Sequence, residues 1–234
     1  GYDFVEEASN PLYKEGDFTF SGEAIAKGTN VGTYNMNLAS EQFINKSDNF
    51  SKVVFAVTDG TLTITPKSIV PDPENSKNTM SVDSPADVVY NGQDQTWTPV
   101  VKDGERTLEP GKDYAVEYST ADHTNVTGKI TVTITGIGNY SGKVERTYQI
   151  TKRPVGLKSE GGSKPYDGTA LTKPEVSGWQ QQGDTGFVTG EVSNVRATGS
   201  VTAVAQGEVT NSIAYDTNAG FNESNYTSSR TRTS

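Results

Sequence analysis

A single histidine, no cysteine and scattered carboxylates are what this chain of 234 residues offers for chemistry. His123 stands in "STADHTN". A general base needs a partner to orient it, and a lone loop histidine makes a poor one. With one histidine and no thiol, zinc sites and cysteine nucleophiles are excluded in practice. No G-x-S-x-G elbow presents a serine. "GIGNYSG" and "GGSKPYDG" are Gly-rich but open no helix, so turn formation explains them better than phosphate binding. Asp72 and Glu74, in "PDPENSKN", bring two carboxylates together at a linker, where such oxygens can hold Ca²⁺. Their spacing matches no calcium loop, and a solvated linker is the simpler reading. A Lys–Asn or Lys–Asp cross-link helped by a buried carboxylate is another chemistry these residue types allow, but Lys and Asn are too frequent here for a pair to stand out. The sequence thus predicts no catalytic residue, no metal ligand and no cofactor, and the chain reads as a protein that is not an enzyme. Of the two tryptophans, Trp97 follows a strand heading and is expected in the core. Trp179, in "SGWQQQGD", sits among polar residues and is the one candidate for contact with a ligand such as a glycan.

The elements that must carry these residues are strands. "KITVTITG" alternates Ile130, Val132 and Ile134 with Thr, the period of a half-buried strand. "TLTITP" does so with Leu62 and Ile64, "KVVFAV" with Val53, Phe55 and Val57, "YAVEYS" with Tyr114, Val116 and Tyr118, and "RTYQITK" with Tyr148 and Ile150. Turn chemistry lies between them in "TDG", "KDGE", "EPGKD" and "YDTNAG". "SEQFINK" allows one helical turn at most. Short strands with frequent turn signals predict an all-β fold of Ig-like antiparallel β-sandwich domains.

Three markers recur along the chain. A heading reads Tyr90-Asn91-Gly92 and Tyr166-Asp167-Gly168. An Asn-aromatic pair follows a turn: Asn49-Phe50, Asn139-Tyr140 and Asn225-Tyr226. A closing Ile-Thr appears at Ile64-Thr65 and Ile150-Thr151, each followed by Pro-bearing sequence, "PKSIVPDP" and "KRPVG", read as linkers. Such a repeat indicates stacked modules, here 1–70, 71–153 and 154–234, in an elongated array. The heading tyrosines are expected to cap each core, the Asn-aromatic pairs to anchor turns, with the asparagines bonding locally. By the same spacing the heading of the first module falls before residue 1, since Tyr90 and Tyr166 lie 50 and 60 positions ahead of Tyr140 and Tyr226. The close of the third falls beyond Ser234, since Ile64 and Ile150 lie 14 and 10 positions after their aromatic markers. The expectation is therefore a first module lacking its first strand and a third lacking its last. Either the chain is a window from a longer array, or the open edges take strands from neighbouring molecules.

Composition agrees with small modules. A hydrophobic content of 32% suits thin cores rather than one large enzyme core. The net charge of −9 argues against nucleic acid and against an anionic membrane surface, and keeps the chain soluble. Absence of cysteine leaves a cytosolic protein or a bacterial extracellular one. No run is apolar enough to span a membrane. Six Asn-x-Ser/Thr triplets, at Asn45, Asn49, Asn125, Asn139, Asn222 and Asn225, follow from the abundance of these residues.

"YNGQDQTWTPVVKDGERTLEPGKDYAVEYS…TGKITVTITGIGNYSGKVERTYQITK" resembles the bacterial Ig-like repeats of large Gram-positive surface proteins. "SKPYDGTALTKPEV" and "GTNVGTYNM…FINKSDNFSKVVFAVTDGTLTITPK" resemble the MBG-type repeats of the same proteins. The resemblance implies a secreted, wall-attached protein in which such modules form stalk or adhesive segments, and it brings no catalytic residues with it. The tail "SSRTRTS" departs from it where a spacer and closing strand would stand. The expected partners are other domains of a parent surface protein, a second copy joined head-to-tail as in a pilus-like subunit, or a host glycan or protein. An accessory domain of a secreted hydrolase ranks behind these.

Overall fold

The computed structural model describes residues 10–232. Strands dominate, and the only helices among these residues are 3-10 turns such as Ser40–Gln42, inside "SEQFINK". The fold is all-β. Contacts divide the chain into two compact units. One holds Gly1–Val70 with Leu108–Ala115 and Thr135–Lys143. The other holds Pro71–Thr107, Val116–Ile134 and Val144–Ser234. The second repeat thus lends two segments to the unit containing the first, and shares its own unit with the third. The first strand expected to be missing from the first repeat would lie outside the described residues.

In the unit of the first repeat, Phe18–Phe20 pairs antiparallel with Phe43–Asn45, and Gly32–Asn35 with Thr61–Ile64. Ladders this short bury little aliphatic surface, so large rings supply the core. Phe55 lies 5.6 Å from Phe18 and 5.7 Å from Phe43, and Tyr13 meets Phe50 edge-on at 5.2 Å. Two sequence expectations change here. "KVVFAV" keeps its alternation, with Phe55 half-buried and Val54 exposed, but joins no ladder. Ring packing around Phe55 holds the segment instead. Leu62 lies in a strand, yet it is 46% exposed because that face of its two-stranded sheet is left uncovered.

In the second repeat, a four-stranded sheet runs in the order Tyr114–Tyr118, Lys129–Gly136, Lys143–Thr151, Val88–Val89. Ile130, Val132 and Ile134 are fully buried, and Tyr148 and Ile150 nearly so, as their period of two requires. A second sheet orders Val176–Ser177, Arg153–Ser159 and Tyr226–Arg232. Tyr90, Ile130, Tyr148 and Ile150 of the second repeat form one core with Val155, Leu157, Phe187 and Tyr226 of the third.

The segments read as linkers are strands. Lys67–Ser68 pairs with Tyr140–Ser141, and Ile69 behind it is fully buried. Arg153–Ser159 alternates buried and exposed along its whole length, with Pro154 on the exposed side. These strands share a register: Tyr140 stands opposite Lys67 and Tyr226 opposite Arg153, in each case the second residue after a closing Thr. Both pairings are parallel, as is Val88–Val89 with Ile150–Thr151, so the expectation of purely antiparallel sheets is corrected. A closing strand runs almost straight into the next opening strand, with Lys152 alone between Thr151 and Arg153. Its partner, arriving from the next Asn-aromatic marker, then lies beside it in the same direction.

Tyr226–Arg232 lies against Arg153–Ser159 over seven consecutive pairs, from Arg153 opposite Tyr226 to Ser159 opposite Arg232. This strand starts at the aromatic marker itself, and an Ile-Thr close like Ile150-Thr151 would fall outside the described residues.

Burial separates two leucines cleanly. Leu157→Ala should cost about 3 kcal/mol of unfolding free energy, because Leu157 is 1% exposed. Leu62→Ala should cost under about 1 kcal/mol. Urea denaturation of both variants checks the difference.

Candidate functional site

The densest polar chemistry is buried. Glu191 is 8% exposed and lies just before the strand Val192–Ala197. Its Oε1 accepts the Tyr90 hydroxyl and its Oε2 the Tyr226 hydroxyl, each at 2.6 Å. The two rings meet edge-to-face with centroids 5.5 Å apart. Tyr226 Oη also accepts the Val188 N–H at 3.0 Å. A carboxylate out of water is costly unless its oxygens are satisfied, and two short phenol bonds do this. Burial, and then the bond to Glu191, pushes the Tyr90 phenol up to about 12. The same two causes push Tyr226 upward as well.

Arg153 lies in the same core, 1% exposed. Its place in the alternation Arg153, Val155, Leu157, Ser159 points it inward. The guanidinium donates only to backbone carbonyls among the described residues: Nε to Gly186 at 2.7 Å, Nη1 to Tyr90 at 3.2 Å, and Nη2 to Gly183 at 2.5 Å and Thr185 at 2.8 Å. It ties the heading of the second repeat to a turn of the third. That turn requires glycine at Gly186, where φ is +76° and a Cβ would meet the Gln180 carbonyl oxygen at 1.9 Å.

Two of the three marker asparagines, Asn139 and Asn225, bond across repeats rather than locally as expected. Asn225 is fully buried, and its Oδ1 accepts the Val126 N–H at 2.9 Å while its Nδ2 donates to Asn125 Oδ1 at 2.8 Å. Asn139 repeats the pattern on Val31 at 2.7 Å and Asn30 at 3.0 Å. Asn30-Val31 and Asn125-Val126 both sit in Thr-Asn-Val triplets. Asn139 and Asn225 thus clip onto the preceding repeat through the same two bonds.

The other singled-out residues fall as follows. His123 Nδ1 lies 2.9 Å from Thr96 Oγ1, its ring packs edge-on against Tyr118, and its Nε2 is buried with no hydrogen-bond partner. Trp97 and Trp179 are half-buried, both packed against the core. Asp72 Oδ1 accepts the Glu74 N–H at 3.2 Å in a local turn. Lys164 and Asp167 approach to 2.9 Å, with the carboxyl held below the usual carboxylate range by that bond and by Thr169, but the pair is solvent-exposed with no buried acid beside it. Asn49 is exposed and Phe50 packs on Tyr13. Tyr90 and Gly92 lie in the core joint. Tyr166 corrects its expected role as a core cap, because it is 70% exposed, and Gly168 beside it is open.

Glu191, Arg153 and the two Thr-Asn-Val triplets escape the sequence reading. Only the triplets, and the period of two that runs through Arg153, carried a local signal. Among the described residues no group of three or more metal-ligating side chains gathers, and no helix is long and apolar enough to cross a membrane. With both Glu191 oxygens held by phenols, the cluster acts as a joint between strands.

No family model matches the chain, and no curated protein and no solved structure matches it either.

The joint predicts a pH dependence. A phenol whose pKa is raised on folding stabilises the fold fully below its ordinary value of 10.0, and that contribution is lost as pH rises toward about 12 for Tyr90. Thermal melts should show Tm falling between pH 10 and 12, and falling less steeply in Tyr90→Phe. At neutral pH that variant should lose about 1–3 kcal/mol, because one Glu191 oxygen is left without its donor.

Proposed function

We propose that this chain is a run of Ig-like repeats serving as a non-catalytic stalk or adhesive segment of a secreted, cell-wall-associated bacterial surface protein. The observation that carries the reading is the parallel pairing of opening and closing strands over the full Arg153–Ser159 register. A pull that draws the start of that repeat away from its end loads the inter-strand bonds side by side, not one after another. Bonds sheared together resist far more than bonds peeled in sequence, which suits a segment that carries tension. The marker asparagines support the same reading, since Asn139 and Asn225 each fasten a repeat to the one before it.

The pilus-like alternative by strand complementation has less behind it in the third repeat, where the chain's own Tyr226–Arg232 occupies the edge. A glycan-binding or host-protein-binding role would have to use exposed aromatics such as Tyr166, because Trp179 is half-buried against the core.

Single-molecule force spectroscopy on the chain, held at its two ends, tests the proposal. Discrete unfolding peaks are expected, with the peak of the third repeat weakened by Ser228→Pro, which removes a strand N–H. Extension without resolvable peaks would argue against a tension-bearing role.

A further inference from the structure

The two headings make the same turn from different residues. Gly92 and Gly168 both have φ of +77°. Asn91 Oδ1 accepts the Gln93 N–H, and Asp167 Oδ1 the Thr169 N–H, both at 2.9 Å. Each bond closes a small ring that contains the side-chain Cγ and the glycine nitrogen. The Asn91 carboxamide is therefore folded forward over the next peptide, and the Gln93 N–H polarises its carbonyl. Glycine sets no Cβ beside that peptide nitrogen. Asn91-Gly92 is the only Asn-Gly pair in the chain.

At the third heading the matching ring closure is blocked. A carboxylate oxygen leaves poorly unless it is protonated. Lys164 Nζ at 2.9 Å, with the Thr169 N–H and hydroxyl, holds the Asp167 carboxyl well below the usual carboxylate range, so it stays ionised. Lys164 stands three positions before Asp167, whereas Val88 holds that place before Asn91. The second heading also lies in the joint. A Cβ on Gly92 would meet Val188 at 3.0 Å and Glu191 Oε1 at 3.5 Å, and the Tyr90 hydroxyl donates to that same oxygen at 2.6 Å.

We propose that Asn91 is a self-modification site, where the chain converts its own asparagine to isoaspartate and so loosens the joint of the second and third repeats. The Gly92 nitrogen attacks Asn91 Cγ. The new N–Cγ bond forms, the Cγ–Nδ2 bond breaks, and Nδ2 leaves as ammonia with the Gly92 amide proton. Water then opens the resulting imide at one of its two carbonyls. Opening at Cγ gives aspartate, which keeps the turn, as Asp167 does. Opening at the backbone carbonyl gives isoaspartate, which adds a methylene to the main chain. The close approach of Gly92 to Val188 leaves no room for that methylene, so Tyr90 is drawn off Glu191. This inference rests on the Tyr90–Glu191 joint and not on the chain bearing tension.

Peptide mapping by mass spectrometry, on the intact chain held in mildly alkaline buffer, tests it. An isoaspartate-specific methyltransferase marks the rearranged product. Conversion at Asn91 should run ahead of conversion at every other asparagine. The converted fraction should melt about 2–8 °C below fresh protein, the loss of one buried hydrogen bond. Asn91→Ser keeps a side-chain oxygen for the Gln93 N–H but has no carbonyl on which a ring can close, so it should hold its starting Tm. An Asn91 that stays unmodified in the folded chain overturns the site, whether or not urea-unfolded chain converts. Conversion to isoaspartate with Tm unchanged overturns its link to the joint. Fresh Tyr90→Phe separates the two levels. If it melts below wild type while converted chain does not, only this inference fails, whereas a Tyr90→Phe variant as stable as wild type defeats the joint itself.

Discussion

Everything in the larger compact unit turns on a buried carboxylate. Glu191 cannot sit in the core unless both oxygens find donors, and the donors come from far apart in the chain: Tyr90 from the second repeat's heading and Tyr226 from the third repeat's closing strand. A polar group satisfied from two places is more selective than apolar packing. A slipped strand still buries Val155 or Leu157 somewhere, but it leaves Glu191 without a partner. Arg153 imposes a similar demand on the turn that includes Gly183 and Gly186. Together these side chains fix where one repeat meets the next, and the apolar core forms around the arrangement they allow.

The repeat is best understood by its joints rather than its modules. Two of the three Asn-aromatic markers belong by sequence to one repeat and bond to the one before it, Asn139 to Asn30 and Asn225 to Asn125. The opening strand of each later repeat follows the previous Ile-Thr directly, and its partner arrives from the marker. Small modules with thin cores gain by sharing surface in this way, since an isolated repeat would bury too little to offset the entropy of ordering it. This is why segments 108–115 and 135–143 of the second repeat belong with the first.

Much of this was legible from residue order. Strand period marked Ile130, Val132, Ile134, Tyr148 and Ile150 as core, and the markers located the recurring turns. What sequence could not supply was non-local. Tyr90 and Tyr166 stand in nearly identical local contexts, and only a covering repeat distinguishes a buried ring from an exposed one. Proline led the reading astray at "KRPVG", where Pro154 sits on the outward side of a strand and removes no buried donor. Glu191 looked like one acidic residue among many, because nothing nearby in sequence announces that two distant tyrosines will close on it. "KVVFAV" showed the period of a strand, but its ring found an aromatic cluster before its backbone found a ladder.

The central claim is that the Glu191 joint makes the second and third repeats one cooperative structure. Hydrogen exchange followed by mass spectrometry across a urea series tests it most directly. The account predicts that the amides of Ile130–Ile134 and those of Val155–Leu157 lose protection together, at one urea concentration, in the wild type. Loss of protection in the third repeat well before the second, with Glu191 intact, would contradict it.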